Sequence, residues 1–264
     1  MLRAVGLGLS LALAVTGAKA YGPEGHRLVG AIADQRLAGR PAAVKIDSLL
    51  DGLTLAQAAL LPDEIKTWDR NPTARLKYLP AHPEIAAQLR AFWEANPNAP
   101  NPQHRPSHRT FHYTDVPIAG NSKYADGTVG RFPSDIVHMI SFCVRILQGQ
   151  ESESNDYRIS KPVAVVLLAH YLGDIHQPLH VGAEFFDKQG QPVNPDAGAA
   201  GAADQGGNTL HLVLMPRLHG WPRHYNGEVA DSLHLFWDKA AALSAIDAWK
   251  AKLNAERPAL GAVS

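Results

Sequence analysis

Residues 169–180 read Ala-His-Tyr-Leu-Gly-Asp-Ile-His-Gln-Pro-Leu-His and close a segment whose residues 163–168 are all apolar. A helix through this segment puts His170 and Asp174 four residues apart on one face. Polar groups set in such surroundings are costly to bury unless something compensates them. A divalent metal does so for imidazole and carboxylate together, and Pro178 breaks the helix so that His180 can turn back toward the pair. A polar helix end with satisfied histidines is the other reading of this cluster taken alone. His176 reads as a spacer.

The pattern recurs. Ser232-Leu233-His234-Leu235-Phe236-Trp237-Asp238 again sets His and Asp at i and i+4 among apolar residues. Two weaker fragments add ligands of the same kind: Asp63 in Leu61-Pro62-Asp63-Glu64-Ile65-Lys66 and His112 in Thr110-Phe111-His112-Tyr113-Thr114-Asp115. In isolation Asp63 reads as a helix cap beside Pro62, and His112 as a half-buried strand residue.

Charge narrows the chemistry further. The chain has 25 Lys+Arg against 25 Asp+Glu, so it does not hold nucleic acid by a basic surface alone, and a phosphate ligand needs another source of positive charge. The single Cys143 excludes an intramolecular disulfide and a thiolate zinc cluster, whereas 13 histidines supply imidazole ligands in abundance. With 45% apolar residues over 264 positions, the sequence can bury a sizeable core.

Residues 1–20 read as a secretory signal: Arg3, an apolar run over 4–15, and the small-residue exit Ala18-Lys19-Ala20. The run is shorter than the ~20 residues that span a bilayer. Cleavage there starts a soluble, secreted or periplasmic chain at Tyr21, with 21–264 as a single domain and 25 − 2 = 23 basic residues left once Arg3 and Lys19 are gone. Its free amino group and carbonyl then stand five residues before His26.

The remaining pattern is helical. Apolar spacing and flanking Pro, Gly or capping residues predict helices at 24–37, 55–68, 83–93, 133–148, 161–174 and 228–253. Gly39-Arg40-Pro41 reads as the end of the first. Residues 96–106 and 182–207 read as loops, and alternation over 208–215 predicts one arm of a short β-hairpin. The fold class is therefore all-α.

Six ordered fragments carry a resemblance: Tyr-Gly-x-x-Gly-His from Tyr21, Pro-Asp-Glu-Ile-Lys from Pro62, His-Tyr-x-Asp from His112, His-x-x-Gly-Asp-x-His-Gln-Pro-Leu-His from His170, Asp-Gln-Gly-Gly-Asn from Asp204, and Leu-His-x-x-Trp-Asp from Leu233. Together they resemble the zinc-dependent, single-strand-preferring class I nucleases, which share a helical fold with zinc phospholipases C. The resemblance implies three zinc ions in a cleft. Asp63, His112, His170 and Asp174 would hold the first; His180, His234 and Asp238 the second; the Tyr21 amino nitrogen and carbonyl, His26 and the shared Asp174 the third. In that family a hydroxide between the first two ions attacks phosphorus in line and the third stabilises the departing 3′-oxygen. The implied activity is endonucleolytic hydrolysis of single-stranded DNA and RNA to 5′-phosphate products, with 3′-nucleotidase activity as a further expectation.

Other positions carry over in the same way. Asp63 and Lys66 are the implied catalytic pair, with Lys66 where the family usually has a phosphate-touching arginine. Tyr113 and Asp115 match positions that stack on and hydrogen-bond a nucleobase, and Asn208, with Asp204, resembles residues that bridge the cleft loop. Single-stranded nucleic acid and nucleotides are the implied partners, with no membrane and no obligatory protein partner. Departures from the pattern are Tyr21 for Trp, Leu61-Pro62 for Trp-Ala, an expanded interval over 80–106, and a short tail after Asp238, read either as a compact bacterial form or as a shortened chain. A zinc phospholipase C, which expects Glu at Asp238, and an exported zinc-binding protein without turnover are the alternatives.

Overall fold

The computed structural model describes residues 22–98, 106–210 and 232–238. Helix α1 (Gly22–Leu37) has Glu24 in its first turn and Arg36 in its last, the arrangement that complements the helix dipole. Helix α2 (Pro41–Leu49) begins where sequence alone reads only an ending, because a proline in the first turn forfeits no intrahelical bond.

The single helix expected over 55–68 is divided into α3 (Leu55–Ala58), α4 (Leu61–Glu64) and a 3₁₀ turn (Ile65–Asp69). Pro62 has no N–H to give the Ala58 carbonyl and its ring crowds that oxygen, so one continuous helix cannot pass. Thr54 and Gln57 form a reciprocal cap on α3, and Asp34 of α1 accepts from the Leu55 and Ala56 N–H groups at 3.0 and 3.1 Å. At the crossing, a Cβ on Gly30 would lie 2.3 Å from the Leu55 carbonyl oxygen. Only glycine permits this approach, and it fixes α1, which carries His26, against α3.

Helix α5 (Pro83–Ala95) buries Ile85, Leu89 and Phe92. Helix α6 (Ile136–Leu147) starts later than the expected 133 because Asp135 caps it, accepting from the Val137 and His138 N–H groups. Helix α7 (Lys161–Asp174), capped by Ser160, runs through the centre and packs against α1, α3, α5 and α6. Its Val163, Val166, Leu167 and Tyr171 are fully buried beside Phe92, Phe111, Met139 and Ile146, so its polar end is set into the core rather than solvent. Cys143 is buried and free.

The β content is small, as expected, but lies elsewhere. Strand β1 (Val116–Pro117) pairs in parallel with β2 (Gly182–Ala183), and β3 (Phe185–Phe186) pairs antiparallel with β4 (Ala202–Ala203). Residues 182–207 are thus not a plain loop. Of the strand expected over 208–215, residues 208–210 form none and 211–215 lie outside the described residues. Helix α8 (Leu233–Phe236), capped by Ser232, is the described part of the helix expected over 228–253. The expected signal, 1–20, and Tyr21 also lie outside. Among the described residues no helix is long and apolar enough to cross a membrane.

Candidate metal centre

The last turn of α7 presents His170 and Asp174 inward, both fully buried, as their i,i+4 spacing requires. His170 Nδ1 lies 2.6 Å from the Ala59 carbonyl oxygen, between α3 and α4. A carbonyl can only accept, so Nδ1 donates, and Nε2 is the nitrogen that faces the cluster. That Nε2 lies 3.1 Å from Asp174 Oδ2, 3.1 Å from His112 Nδ1 and 3.8 Å from Asp63 Oδ1. Nitrogen and oxygen atoms of four side chains thus converge at a buried spot.

His112 and Asp63 reach this spot by routes that differ from their isolated readings. His112 ends a 3₁₀ turn (Thr110–His112) and is buried, not a half-buried strand residue, and its Nδ1 is 2.8 Å from Asp174 Oδ2. Asp63 lies inside α4 rather than capping it, and its Oδ1 meets the Lys66 ammonium at 2.6 Å. From α1 comes His26, whose Nε2 is 3.3 Å from Asp174 Oδ1 and whose ring stacks on that of His170 at 3.6 Å. Asp174 therefore stands between two clusters, one oxygen toward each.

A second assembly forms from the 3₁₀ turn Pro178–His180 and α8. The rings of His180 and His234 lie 4.8 Å apart, and Asp238 places Oδ2 3.3 Å from His234 Nε2 and Oδ1 3.9 Å from His180 Nε2. Again the other ring nitrogen of each histidine is held by a carbonyl: His180 Nδ1 by His112 at 2.9 Å and His234 Nδ1 by Gly206 at 2.8 Å. Gly206 adopts a left-handed φ of 61°, and a Cβ there would sit 2.1 Å from the Leu179 carbonyl oxygen. The Nε2 atoms of His180 and His234 are buried and make no hydrogen bond among the described residues. Three groups thus bring ligand atoms within 4.8 Å of one another: His26, His170 and Asp174; Asp63, His112 and His170; His180, His234 and Asp238.

The electrostatics match the ligand forms of Asp63, Asp174, His112 and His180. Burial opposes ionisation of Asp63 and Asp174, but Lys66 and the histidines beside the first, and His170 and His26 beside the second, hold both carboxyls well below the usual range. Burial also pushes His112 and His180 down, so both stay neutral. His234 goes the other way: burial lowers it, but the Asp238 carboxylate 3.3 Å from its Nε2 raises it by more.

The expected substrate contacts flank this centre. Tyr113 and Asp115 are half-buried; burial and Asp115 push the Tyr113 hydroxyl up to about 12, and burial with Asp204 nearby pushes Asp115 up to about 6. Asn208 points its amide to the Gln205 carbonyl at 2.8 Å. Asp204 is buried and accepts from the Glu184 N–H at 3.1 Å, fastening the β3–β4 corner. His176 is exposed and turned back to the Leu172 carbonyl, as a spacer should be.

Sequence reasoning missed Gln177. It is buried, donates from Nε2 to Asp238 Oδ1 at 2.8 Å and caps the turn that carries His180. Its signals were its place between His170 and His180 and its fixed position in the fragment that begins at His170. The carbonyls of Ala59, His112 and Gly206 left none, since a backbone oxygen has no side-chain identity.

A family model described as S1/P1 Nuclease matches residues 21–260 of the chain. Endonuclease 1 of Arabidopsis thaliana is 25% identical over 243 residues, which cover 91% of this chain and 60% of that protein. Endonuclease 4 of the same plant is 26% identical over 254 residues, covering 93% of this chain and 67% of that protein. The chain thus spans about three fifths of the length of the first of these relatives.

Proposed function

The chain belongs to the S1/P1 nuclease family, and from that premise we propose that it hydrolyses phosphodiester bonds of single-stranded DNA and RNA to 5′-phosphate products with three resident zinc ions. The observation that carries this reading is the convergence of buried imidazole nitrogens and carboxylate oxygens into three groups among the described residues, the ligand atoms of each within 4.8 Å of one another. His170 Nε2 faces the Asp174 carboxylate at 3.1 Å, and His180 and His234 bury their Nε2 atoms beside Asp238 at 3.9 and 3.3 Å. A cation bound among them would satisfy nitrogens and carboxylates together. Imidazole and carboxylate without thiolate suit zinc, and the carbonyls behind three of the histidines set the tautomer that a metal requires.

Asp63, His112, His170 and Asp174 would hold one ion, His180, His234 and Asp238 a second, and His26 with Asp174 and the terminus at Tyr21 a third. When bound, zinc lowers the pKa of water to about 7 and neutralises charge developing on phosphoryl oxygens. The side chains around it supply orientation. Lys66, already paired with Asp63 at 2.6 Å, lies where it can take up a phosphate oxygen as well. Tyr113 offers a ring face to an unpaired base, which a base inside a duplex cannot use, and Asp115 hydrogen-bonds the base edge. Asn208 closes the cleft from the 204–208 turn. Activity on 3′-mononucleotides and export after cleavage before Tyr21 complete the proposal.

The test is zinc content by mass-spectrometric metal analysis on protein beginning at Tyr21, with cleavage of single-stranded and duplex DNA on the same sample. Near three zincs with single-strand preference is the expected result. Zinc without cleavage would move the assignment to a metal-binding protein or a lipid phosphodiesterase, and no zinc would end it.

A further inference from the structure

A cavity of about 550 Å³ lies between the 3₁₀ turn Ile65–Asp69, the chain over 74–80 and α5, within the expanded interval that precedes His112. Its volume falls in the range of small-ligand sites, roughly 300–1,000 Å³. Leu76, Leu79 and Pro83 give it carbon walls, Trp68 and Arg90 close one side, Arg75 stands at the rim, and none of the described residues lining it is acidic. The Arg90 guanidinium carbon lies over Trp68 at 3.7 Å from the ring centroid, with Trp93 at 5.2 Å. Neither Arg75 nor Arg90 makes a hydrogen bond or ion pair among the described residues. A half-buried guanidinium held against an aromatic ring, with no hydrogen-bond acceptor among the described residues, suits a phosphate, and the carbon walls beside it suit a planar base.

The chain leads from this cavity back toward the metal centre. Lys77 Nζ sits 5.2 Å from the Tyr78 ring, and the Tyr78 hydroxyl accepts from Arg27 Nη1 at 3.2 Å. Arg27 follows His26 in α1, and Trp68 shares its 3₁₀ turn with Lys66. Cations interleaved with an aromatic ring are the surface that tracks a single strand.

We propose that this cavity is a nucleotide-binding subsite outside the metal centre, where Arg75 and Arg90 take a phosphate of a single-stranded substrate and the carbon walls take its base, with Tyr78 and Arg27 guiding the strand between them. The proposal rests on the nuclease reading for the identity of its ligand. Its role is to favour long strands over dinucleotides.

The experiment compares kcat/KM of the zinc-loaded enzyme on dodecathymidylate and dithymidylate for the wild type, Arg75→Glu and Arg90→Gln. Each substitution should lower the ratio of long to short substrate about tenfold and reduce the salt dependence on the long strand by about 0.7 per arginine. Arg75 is exposed, so its variant keeps the test valid if Arg90→Gln disturbs the tryptophan stack. An unchanged ratio in Arg75→Glu overturns the subsite while leaving the nuclease reading intact. If the wild type cleaves neither substrate, the nuclease reading fails, the strand stays whole, and anisotropy of labelled dodecathymidylate decides the subsite: binding lost in Arg75→Glu supports it, whereas binding that is absent, indifferent to the substitution or equally displaced by polyglutamate overturns it.

Discussion

Gln177 donates from Nε2 to Asp238 Oδ1 at 2.8 Å, joining the turn before His180 to the end of the segment that carries His234. Its Oε1 accepts from the Leu179 N–H, so one amide orients both His180 and Asp238. A carboxylate fixed by a neighbour is held in its ligating pose, and losing such a partner costs roughly 10–100-fold in metal affinity or activity. Gln177→Ala should therefore lose zinc from one site and slow cleavage by that factor, with unchanged far-UV circular dichroism. Gln177→Glu, which sets a second carboxylate against Asp238, should lose more. Full zinc content in both variants would remove Gln177 from the centre.

Asp174 turns Oδ1 toward His26 and Oδ2 toward His112 and His170, so it is shared between the first and third proposed ions. Asp174→Ala should thus cost more than one zinc per chain, whereas His234→Ala should cost one. Metal analysis of the two purified variants checks the difference. Equal losses would mean that Asp174 serves a single ion.

How much of this was legible depended on whether the information was local. His170 with Asp174 and His234 with Asp238 show in the sequence because i,i+4 spacing on a helix is itself a distance, and the structure places both pairs as that spacing requires. Nothing local joins Asp63 to His112; only their order in the family pattern did. The start of α2 was misread because Pro41 stops a helix that precedes it and starts one that follows, and the break in 55–68 was missed although Pro62 carried the signal. The β pairings joining 116–117 to 182–183 and 185–186 to 202–203 are too short to leave an alternating pattern.

Chelation should destabilise the protein in a pH-dependent way. The folded imidazoles of His112 and His180 are pushed below their ordinary 6.5, so in metal-free protein an unfolded chain takes up protons that the fold refuses, and stability falls as pH drops through and below about 6.5. The depressed Asp63 and Asp174 carboxyls add stability that is present above about pH 4 and lost as pH falls further. His234, raised by Asp238, opposes the imidazole trend: its contribution is full below about 6.5 and fades as pH rises through its folded pKa. Calorimetry should show metal-free Tm declining between about pH 7 and 5, with zinc raising Tm most at the upper end, where no protons compete for the ligands. A metal-free Tm that rises with acidification would contradict the neutral imidazoles.

Asp115 should limit stability for the sake of the site. Its carboxyl sits near 6 in the fold, against 3.8 as an ordinary aspartate, because burial and the nearby Asp204 disfavour its charge. The fold therefore carries no penalty below about pH 4, acquires one as pH rises through the window, and keeps about 2–3 kcal/mol of it above about pH 6. Asp115→Asn should raise the Tm of chelated protein at pH 8 and lose that advantage at pH 4, while weakening cleavage through the lost contact to the base. An advantage that persists unchanged at pH 4 would show that packing, not charge, is responsible.

Asp69 gives the most distant handle on the metal centre. Its carboxylate ends the 3₁₀ turn that follows Asp63 and receives Trp93 Nε1 at 2.8 Å, Arg109 Nε at 2.6 Å and His108 Nε2 at 3.0 Å. One side chain thus ties α5 and the approach to His112 onto the element that carries Lys66. Burial works against its charge, but the bond from Trp93 and the nearby His108 lower its pKa, while burial lowers His108 to about 4. Removing the carboxylate from this set leaves an arginine, the buried His108 ring and the half-buried Trp93 N–H facing nothing, at a cost of about 3 kcal/mol. Asp69→Ala should lower Tm accordingly and, because His112 and Asp63 then lose their common brace, weaken zinc binding at the site they share while the His180, His234 and Asp238 site keeps its ion. Zinc titration with a competing chelator would resolve the two classes of site. Equal weakening at both would mean that Asp69 supports the fold as a whole rather than the spacing of Asp63 and His112.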